Sequence, residues 1–195
     1  MGPEHEEPDA EPHVLALRGA WTEGLSVAFF AGVAEDEAIR RLGVDPRQCP
    51  VIEEDADPGE FGTGHPDDFD PNTEDGERFV GVSGVPGGVV LMQPAWYYAY
   101  RAGVLAAVSK GGGRAYGIYF NPKGGVFGCL AVDGRVEWED EVRLPRAWTV
   151  REDTFGAYYL AYACAEAGLA MPEPRTVLGP PRRWAELPET GGLLD

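Results

Sequence analysis

The sequence predicts an α+β fold, a single domain built on a mainly antiparallel sheet of five to six strands with helices packed on one face. Three observations predict it. Apolar runs at 79–85 and 89–93 flank Pro86-Gly87-Gly88, and runs at 115–120 and 126–132 flank a turn containing Gly124 and Gly125. Asp133-Gly134 then leads into 135–138, a strong short-range hairpin signal. Finally, 154–168 carries its apolar residues at helical spacing, and helices scattered among hairpins argue for an antiparallel sheet covered by helices.

In chain order, residues 1–13 read as an acidic, disordered tail in which Pro3, Pro8 and Pro12 alternate with carboxylates. Leu25, Val27, Phe29 and Ala31 alternate with Ser26, Ala28 and Phe30, a strand with both faces partly buried. A short helix follows, with Glu35, Asp36 and Glu37 in its first turn, Arg40 and Arg41 in its last, and Gly43 as its stop. From 51 to 78 no periodicity survives, which predicts a long acidic loop. Tyr97, Tyr100, Val104 and Val108 fall on one face of an expected helix that Gly111 ends, and 126–132 is the expected centre of the sheet. The helix 154–168 takes Asp153 as N-cap candidate and Phe155, Tyr158, Tyr159 and Tyr162 as its stripe. The domain therefore spans 14–170, and the Pro-rich remainder, 171–195, reads as an extended appendage.

Charge is unevenly placed. The stretch 53–77 holds eleven carboxylates and no Lys or Arg, and the first twelve residues hold five more, so the rest of a chain with formal charge −17 is close to neutral. Nucleic acid and anionic membrane are disfavoured partners, and cationic protein surfaces are favoured ones. No apolar run is long enough to span a bilayer, and the first residues lack the basic and apolar regions of a signal peptide. Cys49, Cys129 and Cys164 lie far apart, in no metal or redox spacing, which suits a reducing cytoplasm with buried thiols.

Three segments carry a family likeness: WTEGLSVAFFAGVAEDEAIRRLGVDP, GGVVLMQP, and GVLAAVSKGGGRAYGIYFNPKGGVFGCLAVDGRVEWEDE. Their motifs are a strand–helix opening that ends in RRLG-x-D, a Leu-x-x-x-Ser-x-Gly helix end, and a late D-G-x-V hairpin. Over 21–168 the chain resembles an uncharacterised family of small actinobacterial proteins, a domain of unknown function. The resemblance implies one intracellular α+β domain and brings no catalytic residue with it. The acidic insertion and the Pro-rich C-terminus depart from that family's pattern.

Few residues assemble into chemistry. His5 and His13 lie in the tail and His65 among acids, so no base stands beside a nucleophile, and no G-x-S-x-G or H-E-x-x-H occurs. The run Ser109-Lys110-Gly111-Gly112-Gly113-Arg114 follows a helix instead of opening one, which makes it a stop and linker, not a phosphate loop. Asp70-x-Asn72-x-Glu74-Asp75-Gly76 starts like an EF-hand loop, but its Gly falls one place late and the closing Glu is missing. Asp67, Asp68, Asp70 and Asp75 remain as a looser divalent-cation alternative, against a solvated loop. Glu137, Glu139, Asp140 and Glu141 read as an exposed strand face more than as paired acids in a cleft.

What stands out beyond core packing is charge and aromatic surface. Trp96, Tyr97 and Tyr98 form a cluster of the residue types that interfaces favour. The expected function is a non-enzymatic cytoplasmic interaction or accessory module that presents Asp67, Asp68, Asp70, Glu74 and Asp75, with Trp96, Tyr97 and Tyr98, to a basic partner, and no cofactor. The alternative is a small-ligand site or enzyme with an aromatic-lined pocket on the sheet face near Trp96 and Tyr116.

Overall fold

The computed structural model describes residues 24–49, 51–52, 77–146, 148 and 155–188. Among these are β1 (Leu25–Ala31), β2 (Phe79–Val85), β3 (Gly88–Pro94), β4 (Arg114–Phe120), β5 (Val126–Val132), β6 (Arg135–Glu141) and β7 (Arg183–Glu186). They form one sheet in the order β6-β5-β4-β1-β3-β2-β7, and every neighbouring pair is antiparallel. The described helices are α1 (Glu35–Arg41), α2 (Ala102–Ser109), α3 (Phe155–Ala167) and α4 (Pro174–Leu178).

The antiparallel α+β expectation holds, with four corrections. The sheet has seven strands, not five to six, because Arg183–Glu186 pairs with β2 from Phe79↔Glu186 to Val82↔Arg183. The stretch expected to be an appendage therefore contributes an edge strand, buries Trp184, Ala185 and Leu187, and adds α4. Strand β5 is not central: it lies one place from the edge, and β1 holds the middle between β3 and β4. The all-but-complete burial of β1 on both faces is what that position demands.

The third correction follows from the same alternation. Leu25, Val27 and Phe29 point to one face and Ala28 and Phe30 to the other, so both faces are apolar and both need a cover. Helix α3 lays Ala157, Leu160 and Cys164 on the first face, where α4 adds Val177. Helices α1 and α2 lay Ala38, Ile39, Val104, Leu105 and Val108 on the second. Helices thus cover both faces rather than one. Each fully buried Leu, Ile or Phe is worth about 2–3 kcal/mol of transfer free energy, so neither cover is dispensable.

The fourth concerns Tyr97 and Tyr100, which precede the helix instead of lining it. Arg101 is extended (φ −59°, ψ 141°), so Tyr98–Tyr100 forms a separate 3-10 turn and α2 starts at Ala102. That turn sits directly on the sheet. A Cβ on Gly117 in β4 would come within 2.9 Å of the Tyr100 Cα, so only glycine permits this approach.

Local signals explain the remaining joints. Helix α1 closes with Glu37–Arg41 at 2.9 Å and Asp36–Arg40 at 3.9 Å, and Gly43 at φ +83° stops it. Arg41 also donates to Val108 O at 2.7 Å, which ties α1 to the end of α2. Asp133 (φ 48°) and Gly134 (φ 79°) make the left-handed turn that joins β5 to β6. No described helix is long and apolar enough to cross a membrane.

Candidate interaction surface

Gln93, at the end of β3, organises the region around the aromatic cluster. Its side chain is fully buried, and its amide is used from both ends. Nε2 donates to Glu77 O and, at 3.0 Å, to Phe79 O, while Oε1 accepts from Tyr98 N at 2.9 Å. One amide therefore joins the entry of β2 to the start of the tyrosine turn. Glu77 is the last carboxylate of the 53–77 run, so that run re-enters the described fold beside Tyr98.

The tyrosines form a continuous, half-buried surface. Tyr97 lies 4.9 Å from Tyr98 and 6.0 Å from Tyr119 between ring centroids. Tyr100 stacks on Tyr119 at 5.5 Å with 18° between planes. The guanidinium of Arg101 lies 5.2 Å over the ring of Tyr97, within cation–π range. Tyr119 belongs here because alternation along β4 turns Ala115, Gly117 and Tyr119 towards α2 and Tyr116, Ile118 and Phe120 towards α3.

Burial is the main reason the phenols of Tyr98, Tyr100 and Tyr119 ionise above the usual tyrosine range. Negative charge adds to it: Glu77 acts on Tyr98 and Glu139 on Tyr100, while Arg101 opposes both. The surface is thus aromatic, rimmed by carboxylates, and already visited by one guanidinium.

The other expected residues fall as follows. Asp67, Asp68, Asp70, Glu74 and Asp75 lie outside the described residues, as do the tail 1–13, Asp153 and all three histidines. Trp96 is half-buried and adjoins the tyrosine turn, but Tyr116 lies on the opposite face of the sheet. There Tyr116 is only 3% exposed, with its ring 6.0 Å from Trp138 and 5.9 Å from Tyr162. Among the described residues no three His, Cys, Asp or Glu side chains gather as metal ligands would.

The glycine run after α2 is also filled from within the chain. Gly111 N and Gly112 N donate to Asp133 Oδ1 at 2.9 and 2.8 Å, so a carboxylate of the turn takes the donors a phosphate would need. Every residue of β6 is exposed, which leaves Glu137, Glu139, Asp140 and Glu141 on a solvated strand rather than in a cleft. The three thiols are buried, and burial raises each of them, Cys129 to about 12, which leaves little thiolate at neutral pH.

A cleft of about 620 Å³ opens elsewhere, between the β1–α1 turn, the β2–β3 hairpin and the start of β7. Its lining is Gly, Val and Ala with Glu35, Asp36, Arg182 and Arg183, and it contains no aromatic ring. Its charges are occupied with one another: Arg183 reaches Glu35 at 3.0 Å and Asp36 at 2.9 Å, and Glu35 also accepts from Gly84 N at 2.8 Å.

No family model, curated protein or solved structure matches the chain, so no activity passes to it from a relative.

Alternation could have placed Tyr119 on the patch, and Gly117 marks where a backbone approaches the sheet. Nothing local marks Gln93 or Arg101, whose roles depend on contacts across the fold.

Proposed function

We propose that this protein is a non-enzymatic interaction module that takes a partner with a basic surface on the Tyr97–Tyr98–Tyr100–Tyr119 face. The acidic segment containing Asp67, Asp68, Asp70, Glu74 and Asp75 would supply long-range attraction. The observation that carries the reading is the Gln93 amide, which brings the end of the acidic run to the edge of a half-buried tyrosine surface. Half-buried Tyr combines apolar contact area with a polar tip at low entropic cost, which suits it to a partner's surface. Carboxylates attract a cationic partner over about 8–10 Å at ordinary salt.

The catalytic alternative draws no support from this geometry. The described thiols are protonated, the β6 acids are solvated, and the cleft at Glu35 and Arg183 is closed in charge. The module works in the cytoplasm, without a cofactor, and away from nucleic acid and membrane.

Backbone amide NMR with a lysine- and arginine-containing peptide tests the proposal. Shifts should cluster at Glu77, Tyr97 to Arg101 and Tyr119, and fade as salt is raised. Shifts centred on β6, or none at low salt, would refute it.

A further inference from the structure

The tyrosine surface has a geometry that discriminates among cations. Neighbouring ring centroids lie 4.9–6.0 Å apart, which is ring-to-ring packing distance. No hollow is left between them for a rounded ammonium or quaternary ammonium group to enter. A cation is then read on a ring face. A planar, weakly hydrated guanidinium stacks on such a face, whereas the compact lysine ammonium is strongly hydrated and gains less there. The chain supplies its own example in Arg101, 5.2 Å over Tyr97. Carboxylates are close at hand, with Glu77 near Tyr98 and Glu139 near Tyr100, so a second cation meets attraction as well as a ring.

We infer that this face selects arginine over lysine in the partner. This rests on the proposed basic-partner reading and deepens it by naming the residue type read. Arginine also pairs bidentately with carboxylates, so a preference is assigned to the rings by its loss when the rings are removed.

The test is calorimetric titration of the full chain with an arginine-rich peptide and with its lysine counterpart, equal in length and spacing. Stacked guanidinium groups predict several-fold tighter binding of the arginine peptide. In the Tyr97→Leu, Tyr98→Leu variant, which keeps apolar bulk but loses the π faces, that ratio should collapse towards one while salt-sensitive binding of both peptides persists. Equal affinities in the unaltered chain overturn the arginine inference and leave the basic-partner reading standing, and this arm needs no variant to fold. Binding of neither peptide overturns both.

Discussion

Gln93 is the residue that ties the tyrosine turn to the sheet. Its amide donates to two carbonyls and accepts from one N–H. Replacement by leucine keeps the bulk and removes all three hydrogen bonds, at about 1 kcal/mol each. Gln93→Leu should therefore cost about 3 kcal/mol in chemical denaturation and lower the Tm by about 6–12 °C. A Tm within a degree of the parent would mean that the amide does not hold the turn. At this scale the sequence was partly legible. Tyr97 and Tyr98 declare themselves as adjacent aromatics, and Cys49, Cys129 and Cys164 as packing thiols. Gln93 reads only as the polar end of a strand, because its partners are 5 to 16 residues away and its amide's role exists only once they meet.

At the scale of elements, the legible parts were those whose signal is local. The alternation of β1, the Pro86-Gly87 hairpin, the Asp133-Gly134 turn and the span of α3 are all specified locally, although α3 buries Ala157, Leu160 and Cys164 more deeply than its expected tyrosine stripe. Strand β7 does not. It is four residues long in a Pro-rich stretch, and Arg-Trp-Ala-Glu acquires its pattern only against the edge of β2. The helix expected through Tyr97 and Tyr100 failed similarly, since close seating on Gly117 overrides the helical spacing of those side chains. Strand β7 and its flank bury Trp184, Ala185 and Leu187, and Ile52 N bonds back to Arg182 O at 2.8 Å. A chain ending after Leu178 should lose several kcal/mol and melt with reduced cooperativity. An unchanged, sharp transition would show that the C-terminal segment is an appendage after all.

For the whole molecule, two separated apolar layers share one sheet, and each contains phenols that burial keeps neutral. Tyr162 is held at about 12, chiefly by burial and then by Glu166, and Tyr116 is raised further still, again chiefly by burial. In the unfolded chain these phenols ionise near 10. Between about pH 10 and 12 the unfolded state thus binds fewer protons than the native one, and stability falls as pH rises. Chemical denaturation should give a loss that begins at about pH 8.5, as the thiols of Cys129 and Cys164 ionise in the unfolded chain, and that steepens between about pH 10 and 12 as the tyrosines join. A slope that does not steepen above about pH 10 would contradict the buried, neutral tyrosines. Fold class was legible at this scale because hairpins and one strong helix imply it. The two-sided cover was not, since α1 and α2 are short and their apolar faces gain meaning only against a sheet that is apolar on both sides.

The central claim is that the acidic segment serves association and not folding. Its eleven carboxylates repel one another, so they should cost the native state a little rather than hold it together. The most direct test is the association rate with an arginine-rich peptide, measured across a range of salt, for the parent and for a variant with Asp67, Asp68, Asp70, Glu74 and Asp75 changed to Asn or Gln. The account predicts an unchanged or slightly raised Tm, a slower on-rate, and a flatter dependence of that rate on salt. An on-rate and salt slope equal to the parent's would contradict it, as would a variant that no longer folds.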